Sequence, residues 1–73
     1  MYTIIESETF AVKDGVRYMS VVVVSDEEPK TLPKKGTDIG LEDGEMFAPM
    51  STIFVPSTGS IYIADSNGFH PQQ

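Results

Sequence analysis

Apolar and polar positions change character twice along this chain. From Tyr2 to Val12 the sequence is rich in β-branched and aromatic residues, which pack well on a pleated surface. The alternation is partial: in a regular strand Ile4, Glu6 and Glu8 share one face, and Thr3, Ile5, Ser7 and Thr9 share the other. Neither face is cleanly apolar, which predicts a twist or break near Ser7. Lys13-Asp14-Gly15 follows, and Asp-Gly predicts a tight turn because both residues tolerate positive φ. The next strand runs from Val16 to Val24 and ends in four consecutive valines, whose stiff χ1 disfavours helix. An unbroken apolar run predicts burial on both faces, by the domain or by a partner. Residues 1–24 therefore read as a hairpin.

Residues 25–44 lose this pattern. They contain Pro29 and Pro33, Gly36, Gly40 and Gly44, and many charges. A stretch of about 20 residues without periodicity is long for a connection in a small domain. Leu32, Ile39 and Leu41 are its sizeable apolar side chains, and their spacing predicts a wrap pinned to the body of the protein. A short helical turn around Leu41-Glu42-Asp43 is poorly supported, because Gly40 and Gly44 bracket it too tightly. Strand chemistry returns at Met50–Val55, followed by a Pro56-Ser57-Thr58-Gly59 turn with proline early and glycine late. Ser60–Asp65 alternates, with Ile61 and Ile63 on one face and Tyr62 and Ala64 on the other. Asn67-Gly68 predicts another hairpin turn, and Phe69-His70 a stub strand that stops at Pro71. The predicted fold is all-β: two antiparallel hairpins joined by a long loop, forming a small twisted sheet, barrel or sandwich. One domain covers 1–73, divided into hairpin (1–24), loop or arm (25–47), and hairpin with tail (48–70).

Composition narrows the chemistry. Eleven acidic residues against five basic ones give a net charge of −6, which argues against nucleic acid or an anionic membrane as partner. No apolar run reaches spanning length, and no basic-then-apolar signal segment opens the chain. The chain has no cysteine, so neither disulfides nor thiolate ligands are available. Its single histidine, His70, cannot build a multi-histidine metal site. His70 reads as a surface residue near a terminus. Asp38, Glu42, Asp43 and Glu45 miss the spacing of a calcium-binding loop and read as a solvated acidic loop. Gly36, Gly40 and Gly44 are not followed by the Lys-Ser/Thr of a phosphate-binding loop. Lys30, Lys34 and Lys35 are offset by Glu27, Glu28 and Asp38. Ser51, Ser57, Ser60 and Ser66 lie outside any nucleophile elbow. The chain is thus expected to have no catalytic residues, cofactor or metal. Its seven aromatic residues are expected mainly in the core.

Assembly is the stronger expectation. A sheet built from two hairpins leaves open edges, and the valine run is too apolar for an exposed face. A chain of 73 residues without disulfides or metal gains stability by oligomerising or docking on a scaffold. The expected contact residues are Val22, Val24, Leu32, Ile39, Leu41 and Phe47, with the last four anchoring an arm. Ile53, Val55, Ile61 and Ile63 are expected to serve the core or a subunit contact.

The second half adds a resemblance. Leu32-Pro33-Lys34-Lys35-Gly36, Gly40-Leu41-Glu42-Asp43-Gly44, Phe47-Ala48-Pro49-Met50-Ser51 and Gly59-Ser60-Ile61-Tyr62-Ile63-Ala64 together resemble short proteins of phages and prophages of Gram-positive gut bacteria. Related segments are described as head-fibre-like. The resemblance covers about residues 30–70 and implies an accessory structural role in the virion. It implies no catalytic residue. In that pattern glycine is expected where Met50 stands. The resulting expectation is a virion accessory or assembly protein, found in the particle or in host cytoplasm during assembly. Its partners would be further copies of itself, a trimer by analogy, or a larger phage structural protein. The alternative is a small acidic phage protein that binds and inhibits a host enzyme.

Overall fold

A computed structural model describes residues 1–72. Asp14 and Gly15 take left-handed backbone, with φ of 53° and 79°. They close a two-residue loop between β1 (Tyr2–Lys13) and β2 (Val16–Ser25). This is the geometry in which a tight turn matches the twist of the strands it joins. The hairpin is not regular. Its register shifts between Ile4 and Glu6 and again between Thr9 and Ala11, so Ile5 and Phe10 are bulge residues. Each bulge reverses which face the following side chains take. Ile4 lies opposite Val23, whereas Glu6 lies opposite Val22. The expected grouping of Ile4 with Glu6 and Glu8 is therefore corrected, and the break falls at Ile5 rather than near Ser7.

β2 is the strand with the most partners, pairing with β1, β3 and β4. β1 flanks one side; on the other side two short strands pair with β2 in succession, both parallel to it. β3 (Glu45–Phe47) pairs along Arg17–Met19, and β4 (Thr52–Val55) along Val22–Val24. The break between them is bridged by a side chain. The fully buried Ser51 accepts a hydrogen bond from the Val21 N–H (3.1 Å) and donates to the Met19 carbonyl (3.3 Å). That hydroxyl satisfies the Val21 N–H, which the interrupted ladder leaves open, while the Met19 carbonyl also accepts the Ala48 N–H at 2.7 Å. Beside it Met50 sits at φ 73°, a conformation that suits glycine. β5 (Ser60–Asp65) and β6 (Gly68–Pro71) complete an antiparallel meander. The order is β1-β2-β4-β5-β6, with β3 sharing the flank of β2.

Parallel neighbours require a crossover connection, because a tight turn cannot return the chain to the same end of the sheet. Residues 26–44 are that crossover. They include one 3₁₀ turn, at Gly36–Ile39, and none at Leu41–Asp43, where Gly40 and Gly44 argued against one. Asp38 caps it: Oδ2 accepts hydrogen bonds from the N–H groups of Lys34 (3.0 Å) and Lys35 (3.1 Å). These two bonds hold the Asp38 carboxyl below its ordinary pKa. Gly36 is buried where the crossover meets β3, and a Cβ there would collide with the Glu45 carbonyl oxygen. The crossover drops Ile39 and Leu41 onto Val21, Val23, Phe47, Ile53, Val55, Ala64 and Phe69. Phe47 and Phe69 stack with centroids 4.5 Å apart, tilted by 42°.

The fold is all-β as expected: the antiparallel β1–β2 and β4–β5 hairpins join through the parallel pairing of β2 with β3 and β4 into one small mixed sheet, which is open and not a barrel or sandwich. The segment read as an arm over 25–47 ends in a strand, β3. No helix among the described residues is long and apolar enough to cross a membrane.

Candidate functional site

Residues directly opposed on neighbouring strands share a face of the sheet. Two rows follow from the register on the side away from the core. One is Thr3, Val24, Phe54 and Ile61; the other is Glu6, Val22, Thr52, Ile63 and His70. Their centre is apolar. Val22, Val24, Ile61 and Ile63 are half-buried by one another, and Phe54 is 38% exposed. The crossover lies on the opposite face, where Ile39 and Leu41 join the core. Met50, 73% exposed, joins this outer face. With Glu6, Glu8, Ser20 and Val22 it lines a depression of about 380 Å³.

A larger groove of about 670 Å³ lies between the far end of the β1–β2 hairpin and the β5–β6 turn. Phe10, Tyr18, Met46, Pro49 and Asn67 line it. Its rim carries Lys13, Lys34 and Asp65.

The polar side chains act mainly as fasteners. The Glu28 carboxylate accepts hydrogen bonds from the Thr58 and Tyr62 hydroxyls, tying the start of the crossover to the β4–β5 hairpin. The hydroxyls of Ser60, Thr58 and Tyr62 hold Glu28 below its ordinary pKa, and the bond to Glu28 raises that of Tyr62. His70 Nε2 lies 3.1 Å from Asp65 Oδ1, and both side chains are more than half exposed. Asp65 Oδ1 also accepts the Asn67 N–H at 2.7 Å, so the pair clasps the β5–β6 turn. The acidic residues of the crossover do not converge. Asp38 caps the 3₁₀ turn, while Glu45 accepts the Glu42 N–H at 2.9 Å. Among the described residues no cluster of three or more His, Cys, Asp or Glu is arranged to hold a metal ion.

The six residues expected at an interface divide sharply. Val22 and Val24 lie on the uncovered face. Leu32 is partly buried and packs against the core. Ile39, Leu41 and Phe47 are only 2%, 8% and 4% exposed, so their assignment to an interface is corrected. The crossover folds back onto its own sheet and uses those side chains to cover it. Sequence reasoning missed Met50, Thr52 and Phe54. The signal for Phe54 was the run Ile53-Phe54-Val55, apolar on both faces of a short strand. Comparisons with protein-family models, curated proteins and solved structures returned no match.

Proposed function

We propose that this chain is a non-catalytic assembly module, a small accessory structural protein of a phage or prophage particle. Its uncovered sheet face is the contact surface between copies of the chain. One observation carries this reading. The sheet is apolar at the centre of both faces, and the crossover covers only one of them. Leaving Val22, Val24, Phe54, Ile61, Ile63 and Met50 in water forfeits burial worth roughly 25 cal/mol per Å². A second copy regains it, and a small chain without disulfides benefits most from doing so. The phage setting rests on the resemblance over residues 30–70. That resemblance is the support for a role in the virion, or in host cytoplasm while particles form, beside a larger structural protein.

The test is absolute mass in solution. Light scattering after size exclusion, over a range of concentrations, should give a closed oligomer for the native chain. Phe54→Glu should give a monomer with an unchanged far-UV circular dichroism spectrum. A native chain that stays monomeric at every concentration overturns the reading.

A further inference from the structure

β1 is an edge strand of 12 residues. It pairs with β2 alone. Among the described residues no other backbone group bonds to the strand's free side. An unpaired edge of this length is a template for another strand. The bulges at Ile5 and Phe10 interrupt it at two points and leave Glu6-Ser7-Glu8-Thr9 as a regular stretch between them. Glu6 and Glu8 lie opposite Val22 and Ser20, so both carboxylates stand on the outer face. Neither has an ion-pair partner among the described residues.

This charge pattern selects the occupant. A second copy adding antiparallel about Ser7 would set Glu6 against the partner's Glu8 and Glu8 against the partner's Glu6. A shift of centre to Glu6 or Glu8 would set a carboxylate against its own counterpart. Like charges directly opposed on neighbouring strands are destabilising, and opposite charges are stabilising. The edge therefore repels itself and favours a strand whose outward residues are cationic. Ile5 and Phe10, 58% and 63% exposed, offer apolar contact at its two ends.

We infer that the Glu6–Thr9 edge binds an extended segment of a different polypeptide, with two Lys or Arg residues two positions apart, by strand addition. The inference rests on reading the chain as an assembly module. It supplies the heterologous contact, while the outer face supplies contact between copies.

The experiment uses the full isotope-labelled chain and two capped peptides. One is Thr-Val-Lys-Val-Lys-Val-Thr; the other has Glu in place of both lysines. The lysine peptide should shift the amides of Glu6–Thr9 and protect the alternate ones that face away from β2. It should bind about tenfold or more tightly than its acidic counterpart, the combined effect of two cross-strand charge pairs. The double variant Glu6→Lys/Glu8→Lys should reverse that preference. Equal binding of the two peptides, no perturbation of β1, or shifts centred on Phe54 would each overturn the inference. Light scattering on the same samples separates the two readings. An oligomer that ignores both peptides rejects strand addition alone. A monomer that binds the lysine peptide at β1 rejects only the contact between copies.

Discussion

Ile53 and Phe54 are neighbours in β4, yet Ile53 is fully buried and Phe54 is 38% exposed. The two residues point to opposite faces, as successive strand residues must. The same division holds in β2, where Val21 and Val23 are buried while Val22 and Val24 remain half-covered. The side chains on the two faces are chemically alike. Only the crossover distinguishes them, because it places Ile39 and Leu41 over one face and leaves the other open. Apolar character in a strand therefore measures the demand for a cover and does not identify what supplies it.

The largest test of this contrast compares truncations on the two faces. Ile53→Ala should cost about 4 kcal/mol, the combined loss of burial and of cavity filling in a core. Phe54→Ala should cost the isolated chain about 1 kcal/mol or less, the scale of a cross-strand pair. Urea midpoints at low protein concentration read both. Equal losses would mean that the outer face is a second core.

The cover itself can be broken next. In Gly36→Ala the added methyl meets the Glu45 carbonyl, and backbone must move to admit it. A loss of about 3 kcal/mol is expected from overpacking at such a site. Gly15→Ala is the control, since no atom lies within 4 Å of a Cβ there and only its positive φ is strained. A smaller loss at Gly36 than at Gly15 would show that the crossover is not tightly seated.

Ser51→Ala acts between the faces, at the break in the ladder beside β2. It leaves the buried Val21 N–H without its partner, which costs about 2 kcal/mol. Amide exchange at Val21 should accelerate with the drop in stability. Unchanged exchange would show that the ladder closes without the hydroxyl.

The smallest effect separates stability from assembly. Met50 holds φ 73° and is 73% exposed. Met50→Gly removes left-handed strain worth about 1 kcal/mol, so the monomer should become more stable. It also removes apolar surface from the outer face, so association should weaken. A variant that loses stability would mean that the Met50 side chain packs more productively than its exposure indicates.

Much of the architecture was legible from local chemistry. Asp14-Gly15 announced its turn because few residue pairs accept two successive left-handed conformations. Asn67-Gly68 marked the second turn one residue late, since its loop is Ser66-Asn67 and only Gly68, the first residue of β6, has positive φ. The valine run announced β2 because branched side chains are stiff. Ile61 and Ile63 separated from Tyr62 and Ala64 by simple alternation. Val22 and Val24 were readable as residues needing a cover beyond their own strand. None of this specified the parallel pairing of β2 with β3 and β4, which brings together residues about 30 positions apart. Nor did it place the bulge at Ile5, which turns Glu6 and Glu8 outward. It suggested that Ile39 and Leu41 pin a wrap to the body, but left them and Phe47 open between that body and a neighbour. Backbone preference and side-chain period act over a few residues, so sequence alone determined the strands and turns. Which face the crossover covers is decided when distant segments compete to bury the same apolar surface, and only the tertiary structure settles that competition.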